Sequence, residues 1–273
     1  KASRFHIGDL AWGRFQHTGC EAEWPTAIWE FEGSVVAWGW VRLPGDLELM
    51  VHPRHRQPAD EVLDWFEGVA DGRTLSVTVL EAETHLVDAL RRRRYAASKD
   101  GPFDLYESRR LEDIPAAQLP SGFNARNMRN TCDVARRAEV HRAAWSATLM
   151  PNPAPSRVTA EAYWNVMAAW PYLPELDWVV EAPDGRFASC CIAWLDEKNC
   201  VGELEPVGTH PDFRRLGLAR AVCLSALHAL REKGARLVVV YPRGDDAYPV
   251  PRMIYGELGF KQYGRTRIYR LNR

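Results

Sequence analysis

The sequence predicts a mixed α/β fold built on a mainly antiparallel sheet. Runs rich in β-branched and aromatic residues alternate with a few amphipathic helical segments along the 273 residues. Turn signals at Gly33 and Ser34, and again at Asp184 and Gly185, join neighbouring strand segments into hairpins. Together these two observations predict the fold class.

The first half is predicted as strands, one helix and more strands. "TAIWEFEGSVVAWGWVRL" is a hairpin around Gly33, and "DLELMV" alternates apolar and polar residues. In "ADEVLDWFEGVA", Val62, Phe66 and Val69 recur on one face of a helix, and "TLSVTVLEA" returns to a strand. The loop "IPAAQLPSGFNARN" then separates the halves. We therefore expect one domain over residues 1–115, a linker over 116–122 and a second domain over 123–273.

The second half opens with a strand near residues 123–128 and a helix in "DVARRAEVHRAAW". Thr159 is typical of a helix cap before "AEAYWNVMAAW", and a hairpin and the strand "NCVGELEPVGTH" follow. A long amphipathic helix then runs from about Ala219 until Lys233 and Gly234 end it. "RLVVV" is predicted as a buried strand, "PRMIYGEL" as a short helix, and "FKQYG" with "RTRIYRL" as a closing pair of strands.

Composition excludes several classes of function. Lys and Arg number 35 against 36 Asp and Glu, so no overall charge excess favours nucleic acid or an anionic membrane. The sequence contains no apolar run of membrane-spanning length and no secretory signal at its start, so we expect a soluble cytoplasmic protein. The six cysteines form no C-x-x-C pair, which favours buried thiols. His52 and His55 lack a nearby Cys or carboxylate cluster, so solvated loop histidines are favoured over metal ligands and we expect no metal site.

A faint internal repeat relates the halves. "LELMVHPRHR" parallels "LEPVGTHPDFRR", and the two His-Pro pairs begin at His52 and His210, 158 positions apart. Two diverged copies of one fold explain this most economically.

The stretch "VGTHPDFRRLGLARA" places arginines and a glycine where a helix begins. The unpaired amides and the dipole of a helix N-terminus attract phosphate, and glycine at position 217 leaves the backbone accessible. Arg214, Arg215 and Arg220 add positive charge and bidentate donors around that point. The stretch therefore favours a pyrophosphate site, although a solvated basic helix start explains such a pattern about as often.

"EPVGTHPDFRRLGLARA" resembles the acyl-CoA-binding motif of the GNAT superfamily of N-acyltransferases, through Arg214-x-x-Gly217-x-Ala219. "MIYGELGF" resembles the second motif of that superfamily, and the likeness covers about residues 123–270. It implies two GNAT-like domains, each a mixed, mainly antiparallel sheet flanked by helices. Acetyl-CoA is implied as the cofactor of the second domain, and the first is implied to be a degenerate copy without cofactor. Tyr248 and Pro251 stand where the family often has Asn and Ala, which puts one customary cofactor contact in doubt.

The resemblance assigns site residues to this chain. The cofactor would contact a strand and the following helix entrance, at Val207, Gly208, Thr209, Arg214, Arg215, Leu216, Gly217, Leu218, Ala219 and Arg220. Tyr255 matches the general-acid tyrosine of the family, although an ordinary core tyrosine remains an alternative. Glu203 and Glu205 share one strand face, and we select Glu205 as the base because it lies nearer the thioester end. Solvated strand carboxylates are nearly as plausible.

We therefore expect an N-acetyltransferase that moves an acetyl group from acetyl-CoA to a primary amine of a small molecule by direct attack. The alternatives are an acyl-CoA-binding sensor without catalysis and a protein-lysine acetyltransferase. An aromatic group lies where the superfamily has its acceptor pocket, and acceptor contact or core packing explains it equally well: Trp145, Tyr163, Trp164, Trp170 and Tyr172. The acceptor, the acyl-chain length and the oligomeric state stay open.

Overall fold

A computed structural model describes residues 4–20, 23–99, 101–129, 131–146 and 156–273. Among these residues, twelve strands form one continuous sheet. Its order is β1-β2-β3-β4-β12-β6-β11-β10-β9-β8-β7, and β5 pairs with β12 outside that path. β3 pairs with β4 in parallel, as β10 does with β11, whereas the other described pairs are antiparallel. The predicted mixed and mainly antiparallel fold is thus confirmed.

The elements of the first half are α1 Ile7–Phe15, β1 Thr26–Phe31, β2 Ser34–Arg42, β3 Asp46–Val51, α2 Pro58–Val69, β4 Thr74–Leu80, α3 Thr84–Arg92, β5 Ala96–Ala97 and β6 Leu105–Arg110. Those of the second half are β7 Asn124–Asn127, α4 Val134–Ser146, α5 Ala160–Ala168, β8 Asp177–Glu181, β9 Phe187–Asp196, β10 Val201–Thr209, α6 Leu218–Glu232, β11 Leu237–Val240, α7 Val250–Glu257 and β12 Lys261–Asn272. None of these helices combines the length and apolar character that crossing a bilayer requires.

Local signals place most of the turns and helix ends correctly. Thr159 caps α5 by accepting a hydrogen bond from the Ala162 amide at 3.0 Å. Gly185 turns the β8-β9 hairpin with a φ of 84°, and Gly234 follows α6 with a φ of 95°. The first hairpin turns one residue earlier than predicted, because Glu32 and Gly33 have positive φ and Ser34 already belongs to β2.

The prediction of one helix in the first half is wrong, because α1 and α3 are also helical. Gly8 and Gly13 lower the helix propensity of α1, so its stability comes from packing. A Cβ on Gly8 would lie 2.1 Å from the Trp194 side chain of β9. α3 begins without a side-chain cap, and its apolar face, including Leu86 and Leu90, is buried.

The predicted closing pair of strands is also wrong. Residues 261–272 form one strand, β12, whose register against β6 shifts between Gln262 and Gly264. Residues 261–265 of β12 pair with β6, and residues 266–272 pair with β4. β12 therefore lies between β4 and β6 in the sheet and pairs with both.

Elements from the first half of the chain pair or pack with elements from the second half. β6, from the first half, lies between β11 and β12. α1 packs on β9, β10 and α5, where Ala11 and Trp12 join the same apolar core as Val134 and Tyr163. The boundary at residues 116–122 stays a prediction, and a cut there would separate strands that pair with each other.

The repeat has a structural counterpart. The pair that starts at His52 follows β3 and precedes α2, β4 and α3, whereas the pair that starts at His210 follows β10 and precedes α6, β11 and α7. In both halves the two strands on either side of the first helix are parallel neighbours. The matching order supports two diverged copies, and the degenerate character of the first stays a prediction.

The cysteines form no disulfide, and the two loop histidines contact each other. All six cysteines are free thiols, and Cys190, Cys191 and Cys223 are buried. The His52 and His55 rings contact each other at 5.3 Å between centroids. Within the described residues, His, Cys, Asp and Glu side chains form no group of three or more that could hold a metal.

Candidate acyl-CoA and acceptor site

The N-terminus of α6 is accessible to a ligand. Gly217 occupies the N-cap position with a φ of 75°, a left-handed conformation that favours glycine. No atom lies within 4 Å of the position that a Cβ on Gly217 would occupy. The preceding Arg215 and Leu216 are exposed, so the first amides of α6 face open space with the positive end of the helix dipole behind them.

The strand before this helix separates from its parallel neighbour. β10 pairs with β11 only through Val201, Gly202 and Glu203. Beyond Glu203 it continues to pair with β9 as far as Thr209, and its other edge no longer pairs with β11. Along this stretch the Glu205 carbonyl accepts from Trp194 Nε1, and Pro206 has no N–H. An extended ligand arm can add to such an edge as a strand would.

The predicted cofactor residues fall into two groups. Val207, Arg215, Leu216, Gly217, Ala219 and Arg220 are at least partly exposed along the free edge and helix entrance. The other four already have intramolecular partners. Gly208 leaves room for Trp145, whose ring lies 2.4 Å from the place of a Cβ, and the Thr209 hydroxyl lies 3.0 Å from Ser189 Oγ. The Arg214 guanidinium donates to the Ala144 carbonyl at 3.0 Å, and Leu218 is in the core.

We expect the Arg215→Ala variant to weaken binding of acetyl-CoA while leaving stability nearly unchanged, because Arg215 is exposed beside the helix entrance. Isothermal titration calorimetry and thermal denaturation of the two proteins measure both quantities. Unchanged affinity would remove Arg215 from the phosphate site.

Glu205 lines a cavity among the described residues. The cavity has a volume of about 750 Å³ and lies between the amino-terminal segment, α4, the start of α5 and β10. Its described lining residues are Trp12, Gln16, His17, Thr18, Cys20, His141, Trp145, Ser156, Arg157, Val158, Thr159, Glu161 and Glu205. Burial, followed by the Glu203 and Asp104 carboxylates, raises the pKa of Glu205 from 4.5 to about 8. The ionised form of Glu205, which predominates above about pH 8, can take a proton from an amine.

Glu203 has a different environment from Glu205, although both lie on β10. Its side chain is fully buried, and Oε2 lies 3.1 Å from His6 Nδ1. His6 Nε2 donates to the Val201 carbonyl at 3.0 Å, and His6 Nδ1 also accepts from the Gly8 amide and so caps α1. Glu203 therefore connects β10 to α1, whereas Glu205 faces the cavity. This difference favours Glu205 as the base.

Tyr255 lies on α7 within the core next to α6. Its ring contacts Phe260 with centroids 5.5 Å apart, and 7% of the residue is exposed. Burial raises the pKa of the Tyr255 phenol well above 10, and the Cys223 and Glu205 side chains act in the same direction. The phenol therefore keeps its proton at neutral pH.

The five aromatic residues predicted to border the acceptor lie in three environments: the cavity, the core and the exposed surface. Trp145 lines the cavity and stacks on His141 with centroids 4.2 Å apart. The Tyr163 and Tyr172 hydroxyls donate to the buried Asp177 carboxylate, so both are core residues. Trp164 and Trp170 are 42% and 85% exposed. Only Trp145 among these five is a described lining residue of the cavity.

The contribution of α1 to the cavity was not predicted from the sequence. Asp9, Trp12 and Gln16 recur at helical spacing, and Trp12 and Gln16 line the cavity. That spacing is typical of one face of a helix and could have predicted α1. The two glycines of α1 lower its helix propensity and made the helix hard to recognise. His141 of α4 also lines the cavity, and its Nδ1 lies 2.8 Å from Ser156 Oγ.

An accessible helix N-terminus, a strand edge that β11 leaves unpaired and an adjoining cavity are features that an extended, phosphate-bearing donor and a small acceptor would require. Residues 137–250 match the model of the acetyltransferase (GNAT) family, and they include β10, α6 and β11. This part of the chain is therefore similar to the acetyltransferases of the GNAT family. The match ends at the first residue of α7, before Tyr255.

Two related proteins match the chain over very different lengths. A mycothiol acetyltransferase from Saccharomonospora viridis is 39% identical over 22% of this chain and 19% of its own length. Another, from Kineococcus radiotolerans, is 26% identical over 79% of this chain and 68% of its own length. The first match thus spans less than a fifth of that relative.

A solved structure also extends over nearly the whole chain. The structure of a tandem GNAT protein from the clavulanic acid biosynthesis pathway aligns with a TM-score of 0.65 at 16% identity. The alignment covers 99% of this chain and 89% of that one. At this identity the likeness shows the fold, and it extends through both halves.

Proposed function

We propose that the protein transfers an acetyl group from acetyl-CoA to a primary amine of a small molecule. The observation that carries this proposal is the position of Glu205. Its carboxyl group, with a pKa of about 8, lies on the strand that separates from β11 and lines a cavity of about 750 Å³. Glu205 thus lies next to both the edge of β10 that is predicted to bind acetyl-CoA and the cavity that would hold the acceptor.

The described residues fit the cofactor. The open N-terminus of α6 and the Arg215 and Arg220 side chains would hold its diphosphate, and the free edge of β10 would bind its extended arm. Acetyl-CoA, when bound, supplies an activated thioester. Glu205 accepts the proton that the attacking amine loses as its nitrogen bonds to the acyl carbon. Tyr255 donates its proton to the departing sulfur, and the products are an N-acetyl compound and the free thiol of coenzyme A.

The cavity favours a small acceptor over a protein lysine. Its lining comes from α1 and the segment after it, α4, the start of α5 and β10. A pocket walled on several sides suits a small molecule, whereas a peptide chain requires an open groove. The name of the curated relatives makes mycothiol chemistry the first source of acceptors to test.

Calorimetry with acetyl-CoA, followed by an amine panel monitored by release of free thiol, tests the proposal. We expect binding of acetyl-CoA and amine-dependent thiol release. Binding without turnover over a broad panel would support the acyl-CoA sensor, and turnover of peptide lysines alone would support a protein-lysine acetyltransferase.

We expect the Tyr255→Phe variant to reduce kcat on the order of 10²-fold, because the phenol protonates the leaving sulfur. The same thiol-release assay measures the loss. Since Phe keeps the ring contact with Phe260, the thermal stability should change little. An unchanged kcat would make Tyr255 an ordinary core residue.

A further inference from the structure

β10 carries a bulge at the residue predicted as the base. Between two paired positions of β10 and β9, Glu205 and Pro206 together oppose the single residue Ile192. Such a bulge interrupts the ladder of backbone hydrogen bonds and changes the direction of the side chains on the bulged strand. Pro206 has no N–H, so it donates no hydrogen bond there. The direction of the Glu205 side chain therefore depends on how this short stretch of backbone is held.

An indole from the neighbouring strand holds the bulge. Trp194 of β9 donates a hydrogen bond from Nε1 to the Glu205 carbonyl at 2.5 Å. An indole N–H can only donate, and a backbone carbonyl removed from water needs a donor. The hydrogen bond therefore satisfies a carbonyl in the interrupted part of the ladder. It restrains the backbone of Glu205, whereas the side chain of the same residue lines the cavity.

The indole is itself fixed by packing. Trp194 is fully buried, and α1 approaches it so closely that a Cβ on Gly8 would lie 2.1 Å from its side chain. The Tyr172 ring contacts the indole with centroids 6.2 Å apart, and the Tyr172 hydroxyl donates to Asp177 at 2.9 Å. A side chain enclosed in this way keeps one rotamer, so its N–H keeps one direction.

We propose that Trp194 is a positioning residue for acetyl transfer, and that it holds the Glu205 backbone so that the carboxylate stays directed into the cavity. The inference rests on the proposed function and deepens it. Trp194 does not belong to the described lining of the cavity, so it acts through Glu205. A displacement of about 1 Å at a reacting group can lower a rate on the order of 10²-fold, so loss of this restraint affects kcat more than KM.

Trp194→Phe removes the N–H and retains an aromatic ring. With an amine that wild type acetylates, we expect kcat in the thiol-release assay to fall about tenfold, while KM for acetyl-CoA changes less than about twofold. In the Glu205→Gln background, the same substitution should lower the residual kcat less than about twofold, because the group that it positions no longer accepts the proton. An equal fractional loss in both backgrounds would show that Trp194 has only a structural role. The inference would then fail and the proposed function would stand.

Trp40→Phe is the matched control for the loss of an indole. Trp40 is buried, and its Nε1 has no hydrogen-bond partner among the described residues. Its kcat should stay within about twofold of wild type. A loss equal to that of Trp194→Phe would assign the effect to the smaller ring rather than to the N–H, and would overturn the inference.

A second replacement covers the case in which Trp194→Phe does not fold. Benzothienylalanine at position 194 exchanges the indole N–H for sulfur at nearly constant volume, and it should give the same loss of kcat. An unchanged kcat in a folded protein with either replacement overturns the inference and leaves the proposed function intact. If wild type acetylates no amine, both fail.

Discussion

We expect the Glu205→Gln variant to lower kcat/KM by about 10²-fold or more, because glutamine cannot accept the proton of the attacking amine. In wild type, kcat/KM should rise with pH through the pKa of about 8 before reaching a plateau. The variant should lose that rise while retaining the pH dependence that comes from the amine itself. Thiol-release rates across pH 6 to 10, measured with one acceptor for both proteins, give the comparison.

Stability measurements show whether the variant is folded. Because the pKa of Glu205 is raised in the folded state, wild type loses stability as pH rises from about 4.5 to about 8. Glu205→Gln should lack this loss and be no less stable at pH 8. A variant of normal stability that keeps the rise in kcat/KM would show that another group is the base.

The second large effect concerns Asp177. Asp177→Asn should destabilise the protein by about 3–5 kcal/mol, because it leaves a fully buried charge on Arg137 without its ionic partner. Arg137 Nε lies 3.0 Å from Asp177 Oδ1, and neither side chain is exposed. The two Nη atoms of Arg137 have no hydrogen-bond partner among the described residues, so the guanidinium depends on this contact. Denaturant unfolding monitored by circular dichroism measures the change.

Asp60→Asn provides the comparison for an exposed ion pair. Asp60 lies 2.7 Å from Arg92, with both side chains more than 40% exposed, and its loss should cost less than about 1 kcal/mol. Equal destabilisation in the two variants would contradict the importance of burial. Since α4 carries Arg137 together with His141 and Trp145, the Asp177 variant should also bind acceptors more weakly.

The sequence predicts features that depend on a few neighbouring residues. Thr159 as a cap, the turn at Gly185 and the helix end at Gly234 each follow from a local backbone requirement, and the structure confirms them. The Arg214-x-x-Gly217-x-Ala219 motif is similarly local and correctly places a helix entrance. These features need no knowledge of distant packing.

Other features depend on contacts between distant residues. Gly8 lowers the helix propensity of α1 yet permits its approach to Trp194, so only the packed structure explains the helix. Trp12 and Gln16 have helical spacing, but their place in the cavity wall depends on the same packing of α1. Likewise, the different surroundings of Glu203 and Glu205 depend on His6 and α4 rather than on their spacing along β10.

The division of β12 between two partners has a consequence for biosynthesis. β4 ends at Leu80, but β12, which pairs with it, begins only at Lys261. A nascent chain that has left the ribosome without β12 therefore exposes an unpaired edge on β4 and another on β6. The sheet cannot close before β12 has left the ribosome, so the protein should gain its resistance to proteases in a single step after that point.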